Sequence, residues 1–104
     1  MDIFEALAEP TRRDILEMLA DRGQLAASDI YGHFPVSHPA ISQHLKVLRD
    51  THLVEVEKKA QQRLYQLNTA KFSEVETWFE QMKKLWNQRF DALDTVLELE
   101  KTKS

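Results

Sequence analysis

The sequence has no cysteine, and it has only two glycines and three prolines among its 104 residues. The absence of cysteine excludes disulfides, thiol redox chemistry and every thiolate metal site. The four histidines are then the strongest transition-metal ligands available. With so few glycines, neither a phosphate-binding loop nor a nucleophile elbow is present, and we expect no enzymatic activity.

Long apolar runs are also missing, so we expect neither a membrane-spanning helix nor a secretory leader. We therefore expect a cytoplasmic protein with no membrane partner. Hydrophobic residues make up 42% and charged residues 30% of the chain, as in an ordinary globular domain. The length predicts a single domain over residues 1–104.

Positive charge is scarce overall, because the net charge is −3. It is nevertheless concentrated in one segment. Residues 1–37 carry three basic and seven acidic side chains, residues 38–70 five and three, and residues 71–104 six and seven. Only the middle third is net positive, so any binding of phosphates is expected there.

Helical periodicity dominates the first half of the chain. The spacing predicts a short helix over residues 3–8 and a second from Pro10, which suits a first helical turn, to Gly23. Arg12 and Arg13 lie opposite the apolar stripe of the second helix. Their placement predicts a solvated face, or weak ion pairs with neighbouring carboxylates.

Two further helices follow with a very short connection. Ser28 is a candidate N-cap for a helix through Phe34, and Ser37 is a candidate N-cap for the next one. In that second helix an apolar stripe faces away from a polar one. The two helices form a predicted helix-turn-helix over residues 28–51.

The pattern then alternates with period two, which predicts a β-hairpin over residues 53–68 with the polar tip Lys58–Gln62. The last segment returns to helical spacing. Its Ser73-x-x-Glu76 sequence has the form of a capping box, and apolar residues recur at steps of three and four. We predict one helix over residues 73–100.

Four stretches resemble the ArsR-type winged-helix repressors: Ala6–Leu16, Val36–Arg49, His52–Val54 and Tyr65–Asn68. The resemblance spans residues 2–70. It implies a mainly α fold with a β-hairpin wing, that is, a winged helix-turn-helix followed by a long C-terminal dimerisation helix. It also implies a transcriptional repressor that binds a palindromic operator in double-stranded DNA as a homodimer.

The resemblance assigns DNA contacts to the helix that begins at Ser37 and to the hairpin. Gln43 suits adenine in the major groove, His38 suits a purine or a phosphate, and Ser42 suits either of these. The implied DNA-binding residues are Ser37, His38, Pro39, Ser42, Gln43, Lys46, Lys58, Lys59 and Arg63. Glu55 and Glu57, which phosphates would repel, are expected to point away from the DNA.

The resemblance assigns dimerisation to the first and last helices. The implied interface residues are Ile3, Phe4, Leu7, Trp78, Phe79, Met82, Trp86, Phe90 and Leu93. Burial between two protomers accounts for these aromatic residues without a ligand. A small-molecule effector bound near the aromatic last helix is the alternative explanation.

No cofactor or metal ion is expected. Metal sites of the family lie on cysteines, which are absent here, or on carboxylate and histidine ligands of the last helix, and residues 73–104 contain no histidine. For His44 we expect packing or a phosphate contact. A protein-interaction module on the same scaffold remains the alternative function, and salt-dependent DNA affinity distinguishes the two.

Overall fold

The computed structural model describes the backbone of residues 1–103 and the side chains of residues 1–90 and 97. The chain divides into two compact units between Lys71 and Phe72. We call residues 1–71 the body, and the part of the last helix from Phe72 onward the distal helix. The elements are α1 (Ile3–Ala8), α2 (Pro10–Arg22), β1 (Gln24–Ala26), α3 (Ala27–His33), α4 (His38–Asp50), β2 (Val54–Lys59), β3 (Gln62–Leu67) and α5 (Thr69–Lys103).

Local signals set the ends of α2. Pro10 occupies its first turn, and the Glu9 carboxylate accepts a hydrogen bond of 3.0 Å from the backbone N–H of Arg12. Gly23 ends the helix at φ +86°, with its N–H donating to the Leu19 carbonyl. Glycine is favoured there because left-handed φ values strain residues that carry a Cβ. The predicted bounds of α2 are confirmed.

The predicted solvated face is wrong for Arg12, which is only 8% exposed. Its Nε donates to the Ala6 carbonyl at 2.7 Å, and its Nη2 donates to the Glu5 carbonyl at 3.2 Å. Both carbonyls lie in the last turns of α1, where no intrahelical donor remains for them. Arg12 therefore ties α1 to α2, while the exposed Arg13 donates to the Leu7 carbonyl.

The sheet has three antiparallel strands in the order β1-β3-β2. Both predicted hairpin strands are present and run further than expected, so the tip is the two-residue turn Ala60–Gln61 rather than Lys58–Gln62. Ala60 takes a left-handed φ of +56° there. The third strand, β1, was not predicted, and it pairs Leu25 with Tyr65.

Two predicted helix starts are wrong. Helix α3 begins at Ala27, with no side-chain cap from Ser28, because Ala26 just before it is still paired in the sheet. Helix α5 begins at Thr69, four residues before the expected start. The Asn68 side chain accepts a hydrogen bond from the N–H of Lys71 at 3.3 Å and caps α5, so Ser73 lies inside the helix.

Helix α4 ends in a tight reversal at His52, whose φ is +62°. The N–H of Leu53 donates to the Leu48 carbonyl, and the N–H of His52 donates to the Arg49 carbonyl, both at 3.0 Å. This pair of bonds is the Schellman arrangement, which satisfies carbonyls left over at a helix end. Leu48 and Leu53 are both fully buried, so the reversal is packed as well as bonded.

The core lies in the body. Helices α2, α3 and α4 and all three strands contribute to it, whereas α1 contributes only Ala6. The largest fully buried side chains of the core are Ile15, Leu19, Ile30, Ile41, Leu45, Leu48 and Leu53. Tyr65 of β3 is also buried and joins the sheet to the helices. Across the part of the chain that the structure describes, no helix is both long and apolar enough to span a membrane.

Candidate nucleic-acid interface

Helix α4 begins where the sequence predicts it. The Ser37 hydroxyl accepts a hydrogen bond of 3.3 Å from the N–H of Ala40, and Pro39 lies in the first turn. Side-chain capping and an early proline both stabilise a helix start. The start of the helix at Ser37 is thereby confirmed.

One face of α4 is buried and the opposite face is open. Ile41, Leu45 and Leu48 point into the core. All six residues assigned to DNA contact on this helix are exposed: Ser37, His38, Pro39, Ser42, Gln43 and Lys46. The open face is therefore polar, made mostly of short side chains near the helix start, with a lysine one turn further on.

Tyr31 of α3 contacts two of these residues and was not among the predicted site residues. Its Oη lies 2.7 Å from the Ser42 Oγ. Its ring stacks on the His38 ring, with centroids 4.7 Å apart and an interplanar angle of 17°. In the sequence, Tyr31 is recognisable only as an aromatic residue next to the apolar Ile30. That pattern is equally typical of a core residue, so it did not mark Tyr31 as part of the site.

The hairpin separates the three basic residues assigned to it. Lys58 pairs directly with Arg63, whereas Lys59 pairs with Gln62. Neighbouring residues of a strand point to opposite faces, so Lys58 and Arg63 share one face and Lys59 lies on the other. Like charges directly across a ladder repel, and a bound anion would relieve the repulsion between Lys58 and Arg63.

The two glutamates of β2 lie on the face opposite Lys58 and Arg63. The Gln66 Nε2 donates to Glu55 at 3.2 Å, and the Gln24 Nε2 donates to Glu57 at 3.3 Å. These bonds hold both carboxylates on the outer side of the sheet. The register thus separates the negative charges of the hairpin from the Lys58–Arg63 pair.

His44 lies at the margin of the buried face of α4. Its Nδ1 is 3.2 Å from Arg12 Nη1 and 3.8 Å from Glu9 Oε2. Because a guanidinium only donates, Nδ1 is the acceptor in the contact with Arg12. His44 is therefore a packed residue, and the contact connects α4 to the start of α2.

The pKa of Glu9 is lowered from its ordinary value by this arrangement. Burial alone would raise it, but the hydrogen bonds from the backbone N–H groups of Arg12 and Thr11 and the positive charge of the Arg12 guanidinium outweigh that effect, with a further contribution from the His44 ring whenever it is protonated. Among the residues described by the structure, no three histidine, aspartate or glutamate side chains converge in a group that could hold a metal ion.

The residues assigned to dimerisation are largely open. In α1, Phe4 is 45% exposed, while Ile3 and Leu7 are half-buried. The described interface residues of the distal helix are all exposed: Trp78, Phe79, Met82, Trp86 and Phe90. Leu93 was assigned to the same interface, and its side chain lies outside the described residues.

The aromatic side chains of the distal helix form local pairs. Trp78 and Phe79 meet edge to face with centroids 5.2 Å apart, and Trp86 and Phe90 do so at 4.8 Å. These contacts lie within a single helix and leave both tryptophans exposed.

Comparison with known proteins gives a consistent result. The profile of the "Bacterial regulatory protein, arsR family" matches residues 9–56. The chain is 38% identical to the transcriptional repressor SdpR of Bacillus subtilis over 77 residues, which is 74% of this chain and 84% of the relative. It is 41% identical to an arsenical resistance operon repressor of Staphylococcus xylosus over 64% of this chain and 62% of that protein.

Solved structures agree. An ArsR-like transcriptional regulator from Rhodococcus sp. RHA1 superimposes with a TM-score of 0.80 at 31% identity, covering 90% of this chain and 88% of that one. The predicted winged helix-turn-helix fold is confirmed by this likeness. A protein-interaction module without DNA binding is not favoured by any of these matches.

Proposed function

The chain belongs to the ArsR family of bacterial regulatory proteins, and from this premise we propose that it represses transcription as a homodimer on a palindromic operator. It is a DNA-binding transcription regulator with a winged helix-turn-helix fold, and not an enzyme.

The observation that carries the proposal is the open polar face of α4. Six side chains of one helix are exposed beside a fully buried stripe, and the face is richest in short polar groups near the helix start. A recognition helix reads base edges with its N-terminal residues, where the backbone approaches the duplex closely. In this arrangement Gln43 bonds an adenine, while His38 and Ser42 bond neighbouring base edges.

The proposal also includes phosphate contacts, which position the protein on the duplex. Lys46 lies one turn beyond the polar start of α4, and Lys58 and Arg63 share one face of the hairpin. With the middle third of the chain net positive, these cations would neutralise phosphates on both sides of the groove. Because Lys59 lies on the opposite face of the hairpin, its contribution is the weakest of the three hairpin residues.

The homodimer is supported by the exposed aromatic surface of the distal helix. Trp78, Phe79 and Trp86 are between 43% and 57% exposed, and contiguous apolar surface of this kind marks interaction sites in soluble proteins. A two-fold dimer presents two copies of α4 to successive major grooves. Half-sites are then separated by one helical turn, roughly 34–36 Å.

The releasing signal does not use a thiolate, because this sequence contains no cysteine. The Staphylococcus xylosus relative is named for an arsenical resistance operon. If an arsenical were the signal here, it would need a site that contains no cysteine. An effector or partner protein of other chemistry, acting at the aromatic surface of the distal helix, fits the proposal. Because a regulator of this kind acts on DNA inside the cell, the proposal places the protein in the cytoplasm.

Selection of bound fragments from random duplex DNA tests the proposal. The expected result is an imperfect palindrome whose half-sites are one helical turn apart, with an affinity that falls with salt at a log–log slope near −0.9 per phosphate contact. Recovery of no preferred sequence at low salt would show that the proposal is wrong. A single, non-repeated site would contradict the homodimer alone.

Three variants separate base contacts from phosphate contacts. Gln43→Ala should cost about 1–3 kcal/mol on the selected operator and relax preference at one base pair. Lys58→Ala should weaken binding to all sequences about equally and make the salt slope shallower by about one unit. Lys59→Ala is the matched control on the other hairpin face, and its effect should be smaller than that of Lys58→Ala.

A further inference from the structure

Tyr31 makes a pair of contacts that the core does not require. The tyrosine is half-buried on α3, where its neighbour Ile30 supplies the fully buried side chain. Its hydroxyl is near the surface, so water could satisfy it without a protein partner. Nevertheless it bonds Ser42 at 2.7 Å, and its ring stacks on His38.

The bond to Tyr31 selects one orientation of Ser42. A serine inside a helix otherwise moves between rotamers and can turn back to the carbonyl four residues earlier. A serine hydroxyl has one donor and two acceptor positions. With Tyr31 occupying one of them, the remaining positions point away from α3 in a defined direction.

Stacking does the same for the His38 ring. A stacked imidazole is covered on one face, while both ring nitrogens remain available at its edge. The near-parallel angle of 17° fixes the plane in which those nitrogens lie. One residue of the first helix of the helix-turn-helix thus orients two residues of the second.

We propose that Tyr31 is a specificity-determining positioning residue, which holds Ser42 and His38 in the arrangement that reads the operator. This inference rests on the proposed function. Tyr31 acts through two other side chains, so its removal should change which bases are preferred more than it changes how tightly DNA in general is held. If the Tyr31 hydroxyl instead contacted a phosphate, its removal would weaken binding to all DNA and leave the base preference unchanged.

The test compares Tyr31→Phe, Ser42→Ala and the double variant on the selected operator, on single-base variants of it and on unrelated DNA. Tyr31→Phe removes only the hydroxyl and retains the stack. We expect it to lower discrimination about five-fold at one base pair, the loss of one net hydrogen bond. The same base pair should respond to Ser42→Ala, and the double variant should lose no more than either single one.

Tyr31→Leu removes the ring as well, and should relax a second position, the one that responds to His38→Ala. Binding to unrelated DNA and the salt slope should stay as in the parent for Tyr31→Phe and Tyr31→Leu. Thermal unfolding of each variant shows whether the fold is retained. Tyr31→Phe keeps the inference testable if Tyr31→Leu fails to fold.

Several outcomes overturn the inference. It is wrong if Tyr31→Phe leaves discrimination unchanged, if the effects of Tyr31→Phe and Ser42→Ala multiply independently, or if the affinity of Tyr31→Phe falls equally on all DNA with a shallower salt slope. In each of these cases the parent still binds its operator selectively, so the proposed function stands. A parent protein that selects no sequence overturns the proposed function and this inference together.

Discussion

The body and the distal helix use apolar residues of the same helical spacing in opposite ways. In α2 and α4 of the body, the stripes that include Ile15, Leu45 and Leu48 are fully buried. In the distal helix the stripe is open, with exposed fractions from 40% for Met82 to 58% for Leu85. A periodic stripe therefore identifies an apolar face without identifying what covers it.

The difference matters because the stability that each stripe contributes depends differently on protein concentration. A core completed within one chain contributes to stability at any protein concentration. Apolar surface that is covered only by a second copy contributes through association, so its effect depends on concentration. Paired substitutions in the two regions can separate these behaviours.

The largest effect is expected for Leu48→Ala, with Leu85→Ala as its matched control. Leu48 is fully buried and Leu85 is 58% exposed, although both lie in helices. Leu48→Ala should lower the free energy of unfolding by about 2–5 kcal/mol because it leaves a cavity. At low protein concentration, Leu85→Ala should change it by less than about 0.5 kcal/mol. Urea unfolding of both variants measures the contrast, and equal losses would remove the distinction between the regions.

Trp86→Ala tests the distal helix directly. Trp86 is 57% exposed, so its truncation should cost little in a single chain. A buried interface tryptophan costs about 2 kcal/mol, which is roughly a thirty-fold weaker dimer. Sedimentation equilibrium measures the dissociation constant, with Gln88→Ala on the same helix as control. A parent that stays monomeric at all concentrations would contradict the prediction.

Two serines offer a smaller contrast. The Ser37 hydroxyl caps α4, whereas Ser73 lies inside α5. Ser37→Ala should lower the free energy of unfolding by about 1 kcal/mol through loss of the cap. Ser73→Ala should change it by no more than about 0.5 kcal/mol, because alanine is a good helix former. Thermal unfolding compares the two variants. A larger loss for Ser73→Ala would support the predicted capping box at Ser73.

The smallest effect concerns the Glu9 carboxylate at the start of α2, whose pKa is lowered in the folded body. A carboxyl whose folded pKa is depressed stabilises the fold above its ordinary pKa, near 4.5. This contribution is lost as the pH falls through the folded pKa. Glu9→Gln should therefore flatten the acid limb of a pH–stability profile, with Glu17→Gln as the one-charge control. An unchanged acid limb would contradict the assignment.

The parts of the fold that were predicted correctly rest on local signals. Ser37 and Pro39 mark the start of α4 within three residues of sequence, and Gly23 marks the end of α2. The alternation in β2 and β3 reports an exposed and a buried face directly. These signals need no knowledge of distant contacts, which explains why the helix-turn-helix and the wing could be placed.

The late start predicted for α5 missed a local signal, the Asn68 cap. Three other misses have a different cause, since each depends on contacts outside the element concerned. β1 has only three residues and exists through its pairing with β3. Arg12 is buried because its partners are carbonyls of α1 and a histidine of α4. Tyr31 acquires its place in the candidate site through Ser42, eleven residues later. Residue patterns within one element contain no information about such partners.

The reversal at His52 sets how the two DNA-reading parts are joined. Only three residues, Thr51, His52 and Leu53, connect α4 to β2; His52 takes a left-handed φ and Leu53 is fully buried. Because this connection is short, hydrogen-bonded to the end of α4 and packed, we expect the angle between α4 and the wing to change little. In the proposed dimer, we therefore expect a releasing signal to change the distance between the two copies of α4 rather than the angle between each α4 and its own wing.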